Sequence, residues 1–346
     1  MAKRTTTGER VTLRQVADAA GVSLATASKV MNGRADVGPS TREQVTAVAK
    51  DLGYRARRRE EPRRRTVVIY FDTLTSAYAL QVLEGAEHAA RRAGVDLQVV
   101  SSGQPTSGGG LTRAWMAELA DRGTDGVIAV TTAVGSQHAR WSRDLSLPLI
   151  AIDPVSTGED VRGVVTIGAT NWEGGTEAVQ RLLALGHRRI GVLAGPENSV
   201  PARQRVQGYD SALAQAGVGS DPALVEHGPY DYEEGQEAAL RLLDLEDRPT
   251  AIFAVSDVLG VGALRAARQR GVDVPGELSV ISFDDTMIAQ WTYPQLTAVR
   301  QPLFQMGQVA VERLLAIAAD PGLFAHPFKL ETQLVEREST APAPGA

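Results

Sequence analysis

The chain has 346 residues, of which 43% are hydrophobic and 22% are charged. This length predicts two or three domains, and the composition excludes fibrous, collagen-like and wholly disordered proteins. The absence of cysteine excludes disulfide frameworks, cysteine zinc sites and thiol catalysis. The formal net charge of −5 conceals an uneven distribution: residues 1–65 carry 15 Lys+Arg and 7 Asp+Glu, whereas residues 66–346 carry 21 and 34. A basic head on an acidic body is typical of a polyanion-binding module attached to a second domain.

The N-terminal residues contain no apolar run of the length that a secretory signal requires. No other stretch approaches the ~18 apolar residues of a membrane span. We therefore expect a cytoplasmic protein that does not bind membranes.

Three short helical patterns fill the first sixty residues. The first begins at Leu13 with a capping box formed by Thr12 and Gln15, the second follows Ser23, and the third follows Gly38-Pro39. A glycine, Gly21, separates the first two helices by a tight turn, which predicts a helix-turn-helix unit. An ordinary three-helix bundle with a solvated polar face is the alternative, but it does not explain the basic excess.

The segments VTLRQVADAAGVSLATASKVMNG and VGPSTREQVTAVAKDLGY resemble the DNA-binding domain of the lactose and galactose repressor (LacI/GalR) family. The match covers residues 11–54 almost without gaps. The resemblance implies that Leu24, Ala25 and Lys29 face base edges in the major groove. It also implies phosphate contacts, or support for them, by six polar residues: Thr12, Ser23, Thr26, Ser28, Asn32 and Thr41.

The linker at residues 55–65 departs from the family pattern. The family carries a hinge helix here that wedges a leucine into the minor groove, whereas RARRREEPRRR is shorter, lacks the leucine and contains Pro62. We expect no leucine wedge. Arg57 and Arg58, with the rest of the two arginine triplets, either contact phosphates or belong to a solvated charged linker.

From residue 66 onward, apolar strands alternate with helical segments in two successive runs. The predicted strands are TVVIYF, DLQVVSS, GVIAVT, PLIAID, GVVTIG, RIGVLAG, ALVEHG, AIFAVS and LSVISFDD. The predicted helices lie near residues 79–93, 111–121, 136–144, 171–185, 201–216, 231–245 and 257–270. Alternation of this kind predicts two parallel sheets with right-handed crossovers and a ligand cleft at the carboxyl ends of their strands.

This region resembles the periplasmic-binding-protein-like core of the same family. The resemblance rests on LLALGHRRIGVLAGP, ARQRVQGY, LSVISFDD, LTAVRQP and LETQLVEREST. The fold predicted for the chain is therefore a small all-α helix-turn-helix domain followed by an α/β core of two similar parallel-sheet subdomains. The implied domains are residues 1–54, the linker 55–65 and the core 66–346, with one subdomain at about 66–168 and 300–328 and the other at about 169–299 and 329–340.

Seven residues are candidate ligands of an effector in the cleft. Arg205 and Asp284 stand at the motif positions that carry the family's effector-binding Arg and Asp, and such a pair can hold a polyol by charge-assisted hydrogen bonds. Asp153 ends a strand near the same edge, and Ser256 replaces the asparagine that is common in the family. Aromatic faces that suit sugar rings are the other candidates: Tyr78, Trp291 and Tyr293. Each has an alternative role in packing, capping or surface ion pairing.

Enzyme motifs are absent from the sequence. There is no GxxxxGK loop, no GxSxG elbow and no HExxH, and the five histidines are scattered, with His187 placed before a strand in a structural role. We expect no enzymatic activity, cofactor or metal.

The sequence predicts a transcriptional repressor whose operator affinity is controlled by a small molecule, best interpreted as a sugar or glycoside. The resemblance implies a homodimer on a palindromic double-stranded operator. A purine or phosphorylated sugar stays open as the ligand. The alternative function, a sugar-binding transport or receptor protein, predicts a secretion signal and no helix-turn-helix.

Overall fold

The structure is a computed structural model that describes residues 11–32, 34, 36–54, 64–102, 110–156, 163–323 and 326–345. The chain divides between residues 64 and 65 into two compact units. No helix in these ranges is long and apolar enough to cross a membrane.

The first unit contains three helices, α1 (Leu13–Ala19), α2 (Leu24–Met31) and α3 (Pro39–Asp51). The capping box predicted for α1 is present, and Gly21 turns the chain with a φ of +63°. Ala17 and Ala27 are at most 1% exposed. Such small side chains let α1 and α2 approach closely, so the outer face of α2 remains free of the core.

The second unit is built on two six-stranded sheets. The strands of the first sheet, in spatial order, are β13 (Phe328–Leu330), β7 (Val165–Ala169), β5 (Leu149–Ile152), β3 (Gly126–Val130), β1 (Thr66–Phe71) and β2 (Asp96–Ser101). The order in the second sheet is β14 (Gln333–Val335), β12 (Thr297–Arg300), β11 (Ser279–Asp284), β10 (Ala251–Ala254), β8 (Ile190–Gly195) and β9 (Val225–His227). A two-stranded ribbon adds β4 (Ala133–Val134) and β6 (Val155–Ser156).

Nine helices of the described residues accompany these sheets. They are α4 (Ala77–Arg92), α5 (Arg113–Asp121), α6 (Ser136–Asp144), α7 (Asn171–Ala184), α8 (Val200–Gln215), α9 (Tyr232–Leu243), α10 (Asp257–Arg270), α11 (Met287–Trp291) and α12 (Leu303–Ala319). A short 3-10 helix spans Pro222–Leu224. Helices cover both faces of a parallel sheet, which explains why its central strands are apolar on both sides.

The predicted fold class is confirmed, but several elements were not predicted, among them the short strands β4, β6, β12, β13 and β14 and the helix α11. The pairing of β12 with β14 is antiparallel, so the second sheet is not wholly parallel. The long helix α12 was not predicted as an element of its own. It packs against α4 and the first sheet although it directly follows a strand of the second.

The chain passes between the two sheets three times: after β7, after β12 and after β13. Two of these crossings are bonded to each other, because the backbone N–H of Thr332 donates to Thr170 Oγ1 at 2.9 Å. The carboxyl ends of the parallel strands in both sheets lie at the intervening cleft, across which Asp153 and Arg205 interact, whereas the antiparallel β14 runs the other way. An antiparallel bridge between Val155 and Ser199 joins its two sides.

Candidate functional site

The outer face of α2 carries most of the residues predicted to contact DNA. Leu24 is 46% exposed, and Ala25 and Lys29 are also exposed. Leu24, Ala25 and Ser28 line a shallow open groove together with Leu13 and Arg14 of α1. This face is therefore apolar at the start of α2 and basic one turn later.

The polar candidates of this unit also hold its helices together. Ser23 Oγ accepts from the backbone N–H of Thr26, so it caps α2, and Thr12 caps α1 in the same way. The Asn32 side chain donates to the carbonyl of Ser28 at 2.8 Å. Thr41 is half-buried in the first turn of α3. Their proposed phosphate contacts must coexist with these internal bonds.

Lys29 has an ionic partner within the unit. Its Nζ donates to Asp36 Oδ2 at 2.7 Å, and the two side chains are 50% and 57% exposed. The Lys29 ammonium lowers the pKa of the Asp36 carboxyl by hydrogen bonding. Exposed pairs of this kind are weak. A guanine edge or a phosphate can therefore replace Asp36 as the partner of Lys29.

Most of the linker lies outside the described residues, and this includes Arg57 and Arg58. Of the second arginine triplet, Arg65 donates from Nε to Asp125 at 3.0 Å, next to the first residue of β1. Arg65 is thus bonded to the second unit, and the predicted linker boundaries stay a prediction.

On the first side of the cleft, two predicted residues are joined. Tyr78 lies in the first turn of α4, and its hydroxyl donates to Asp153 Oδ2 at 2.8 Å. Asp153 directly follows β5 with a φ of +43°, a left-handed conformation that costs a non-glycine residue free energy and is often found at ligand sites. Burial raises the pKa of Asp153, although the Arg205 charge across the cleft acts in the opposite direction.

On the second side, Arg205 of α8 occupies the centre of the polar cluster. It is 3% exposed. Its Nε donates to Asn171 Oδ1 at 2.8 Å, and its Nη1 donates to the carbonyl of Val255 at 2.6 Å and to Asp284 Oδ1 at 3.3 Å. The guanidinium carbon lies 3.9 Å from the centroid of the Phe283 ring. These contacts fix the guanidinium plane, so its remaining nitrogen is preorganised for a ligand.

Asp284 ends β11 with a φ of +107°. Its Oδ1 accepts from Arg205 and, at 2.6 Å, from Gln301 Nε2. Burial raises the pKa of the Asp284 carboxyl to about 7, although the neighbouring Arg205 guanidinium opposes the shift. The next residue, Asp285, is bound by Arg300 and Arg337 and faces away from this cluster. The two adjacent carboxylates therefore bind different partners, because neighbouring residues of an extended strand point to opposite sides.

A close crossing of α7 and α8 positions Arg205. Gly208, one turn after Arg205, packs so tightly that a Cβ atom there would lie 2.3 Å from the Trp172 carbonyl oxygen. A Cβ on Gly175 would lie 2.4 Å from the carbonyl oxygen of Arg205 itself. Only glycine permits this approach, which holds Arg205 next to Asn171 at the start of α7.

Ser256 is at the carboxyl edge of β10, but its hydroxyl is already engaged. It caps α10 by accepting from the backbone N–H of Leu259 at 3.4 Å. The neighbouring Asp257 accepts from Ser282 and Thr286. Burial raises the pKa of Asp257 to about 6. These bonds join α10 to the end of β11 and so support the backbone that carries Asp284.

Trp291 and Tyr293 are not brought into the polar cluster. Their side chains are 77% and 95% exposed on the connection from α11 to β12. Because β11 and β12 are parallel, this connection must return from the carboxyl edge to the opposite edge of the sheet. Their predicted contact with the effector is thus not supported by their position.

Sequence reasoning missed three residues that the fold adds to the cluster. Asn171 binds Arg205, Gln301 binds Asp284, and Tyr230 reaches Ser199 through its hydroxyl at 3.3 Å. Gln301 lies in the LTAVRQP segment, which resembles the family but did not indicate a function for any single residue. Tyr230 precedes the N-cap Asp231 of α9, and an aromatic residue before a cap carries no functional signal by itself.

Two family models match the chain. Residues 12–56 match the bacterial regulatory proteins of the lacI family, and residues 179–340 match a periplasmic binding protein-like domain. The first model thus lies in the first unit, and the second covers the later part of the second unit.

Curated relatives match over nearly the full length. The chain is 33% identical to the HTH-type transcriptional regulator CelR of Thermobifida fusca, over 95% of this chain and 98% of the relative. It is 34% identical to the HTH-type transcriptional regulator MalR of Streptomyces coelicolor, over 96% and 97%. Both relatives are named as HTH-type transcriptional regulators.

Solved structures of transcriptional regulators also match the chain over nearly its full length. A complex of the transcriptional regulator CelR with cellobiose superposes with a TM-score of 0.72 at 31% identity, covering 95% of this chain and all of that one. The lac repressor dimer bound to operator and the anti-inducer ONPF gives a TM-score of 0.72 at 26% identity, covering 96% and 100%.

Proposed function

Because this chain belongs to the lacI family of bacterial regulatory proteins, we propose that it represses transcription by binding a palindromic operator as a homodimer. The outer face of α2 reads the major groove. Leu24 and Ala25 offer no hydrogen bonds, so they discriminate bases by apolar contact with thymine methyl groups, and Lys29 binds a base edge after leaving Asp36. Two copies of α2 related by two-fold symmetry then recognise two half-sites.

A sugar bound in the cleft controls this DNA binding. The observation that carries the assignment is the arrangement of Arg205 and Asp284 opposite the Tyr78–Asp153 pair, with Tyr230 beside them. A guanidinium, two carboxylates and an aromatic ring from both sides of one cleft are the groups that bind a polyol. The cellobiose complex of a relative supports a sugar rather than a purine.

Ligand binding between the two sides favours one arrangement of the sheets over another. The three chain crossings are the positions at which this rearrangement can occur, and Gln301 connects one of them directly to Asp284. The resulting change in DNA affinity equals the difference in ligand affinity between the two arrangements, about 1–3 kcal/mol in typical allosteric proteins.

The test is a DNA-binding titration of the purified full-length chain. A labelled duplex from the region upstream of its own gene is titrated by fluorescence anisotropy, with and without neutral mono- and disaccharides such as cellobiose and maltose. We expect one sugar to change operator affinity about 5- to 150-fold while leaving binding to random DNA unchanged. Operator affinity that is insensitive to every sugar would contradict the proposal, and turnover of a sugar would favour an enzyme instead.

A further inference from the structure

Three carboxylates stand at the carboxyl edges of the two sheets, and one of them, Asp72, has no role in the proposal above. Asp72 directly follows β1, as Asp153 follows β5. Phe71 and Ile152, the residues before them, are both in register with Val130 of the intervening strand. Asp72 and Asp153 are therefore level with each other, two strands and about 10 Å apart.

Each of these carboxylates has one oxygen bound inside the protein and one that is not. Asp72 Oδ1 accepts from Thr132 Oγ1 at 3.0 Å, and Asp153 Oδ2 accepts from Tyr78. Asp284 Oδ1 accepts from Arg205 and Gln301. The second oxygens accept from no described residue, and none is among the fully buried atoms that lack a partner. They are therefore not fully enclosed, although the three residues are only 5–8% exposed.

Positive charge is scarce around these oxygens. Arg205 pairs with Asp284, and among the described residues neither Asp72 nor Asp153 has a cation within ion-pair distance. The one guanidinium is already bonded to Asn171, to Val255 and to Asp284, which leaves only Nη2 for a ligand. Asp153 and Asp284 thus share one guanidinium whose charge is largely compensated, and Asp72 has no ionic partner among the described residues.

A second observation also points to a hydrogen-bond donor as the missing partner. Gln301 is 3% exposed and its amide lies against Asp284, yet its Oε1 is fully buried with no hydrogen-bond partner. An unpaired buried acceptor costs free energy that a donor from a ligand recovers. Like the carboxylate oxygens, this atom accepts hydrogen bonds and repels anions.

We propose that the cleft admits uncharged polyhydroxyl ligands and excludes phosphorylated sugars and other anions, with Asp72 as a specificity-determining residue. The inference rests on the proposed sugar-binding function and narrows it. Hydroxyl groups donate to the open oxygens of Asp72, Asp153 and Asp284, whereas a phosphate would bring negative charge into a poorly hydrated site where repulsion is weakly screened.

The experiment compares neutral sugars with their phosphate esters on the purified full-length chain. Glucose is compared with glucose 6-phosphate, ribose with ribose 5-phosphate, and trehalose with trehalose 6-phosphate. Cellobiose and maltose are tested as further neutral sugars. Binding is followed by calorimetry and by thermal shift at pH 8, above the pKa of about 7 of the Asp284 carboxyl. We expect at least one uncharged sugar to bind and any phosphate ester to bind at least about tenfold more weakly.

The variant Asp72→Asn keeps the size of the side chain and removes its charge, so the discrimination against phosphate should fall by roughly tenfold. Asp144→Asn, at the exposed end of α6 on the same side, is the matched control and should change nothing.

A phosphate ester that binds wild-type protein as tightly as the neutral sugar would overturn the inference and leave the sugar-effector function standing. If Asp72→Asn binds neutral sugars and phosphate esters with the same ratio of affinities as wild type, Asp72 does not determine this specificity. If no sugar of either charge binds or alters DNA affinity, the proposed function itself fails and this inference fails with it.

Discussion

Replacing Arg205 with methionine removes the guanidinium at the centre of the cleft while retaining most of the apolar stem. The change leaves Asp284 buried without its cation, and the Val255 carbonyl and Asn171 Oδ1 without a donor. Breaking a buried ion pair by removing one partner costs about 3–5 kcal/mol. The retained stem still packs on Phe283, so we expect a loss of about 3 kcal/mol in the free energy of unfolding at pH 8.

The loss of unfolding free energy in Arg205→Met should be larger at high pH than at low pH. The pKa of the Asp284 carboxyl is raised to about 7 in the folded protein, and the Arg205 guanidinium limits this rise. Without Arg205 the pKa rises further, so Asp284 in the variant is neutral at pH 6 and no longer a bare buried charge. A carboxyl with a raised pKa stabilises the fold less as pH increases toward that pKa. The difference between wild type and variant should therefore be smaller at pH 6 than at pH 8.

The assay is urea unfolding of the full-length chain at both pH values, and Arg241→Met is the control. Arg241 also binds two carboxylates, Glu226 and Glu234, but its side chain is 47% exposed. Surface pairs contribute about 0–1 kcal/mol, so this variant should lose at most that amount. Equal losses in the two variants, or a loss in Arg205→Met that is independent of pH, would refute the account of the buried cluster.

Three further predictions concern the head, the linker and the C-terminal contacts. Lys29→Ala should weaken operator binding by about 1–3 kcal/mol more than binding to random DNA; equal losses would mean that Lys29 only neutralises phosphate. Replacing residues 57–59 with alanine should reduce the slope of log affinity against log salt by up to about 0.9 per lost phosphate contact, and an unchanged slope would make the segment a linker only. Burial lowers the pKa of His187, which bonds Thr250 and the Ala341 carbonyl. The stabilisation by neutral His187 should therefore be lost as pH falls below about 6.5. In urea unfolding, the difference in free energy of unfolding between wild type and His187→Asn should be smaller at pH 5 than at pH 7. A difference that does not change with pH would contradict this.

Local patterns were sufficient to predict most of the fold. The capping box at Thr12, the turn at Gly21 and the runs of buried apolar residues are determined by neighbours in sequence, and each is where the sequence indicates. The antiparallel pairing of β14 was not predictable in this way. It depends on which sheet the chain rejoins after its third crossing, and no short-range signal specifies that choice.

The cleft was only partly predictable for a related reason. Arg205 and Asp284 lie in distinctive motifs, so they could be nominated from the sequence. Their partners Asn171 and Gln301 lie 34 and 17 residues away from them in sequence. Tertiary packing at the two chain crossings brings these amides into the cluster. Conversely, Trp291 and Tyr293 follow the right strand, but the parallel connection carries them toward the opposite edge.

The central claim is that a ligand in this cleft controls DNA binding by the head. It is tested most directly by measuring operator affinity of wild type and Asp284→Ala by fluorescence anisotropy, with and without the sugar that binds wild type. The account predicts that both proteins bind the operator equally without sugar, and that only wild type changes its affinity when sugar is added. A full sugar response in Asp284→Ala would contradict it.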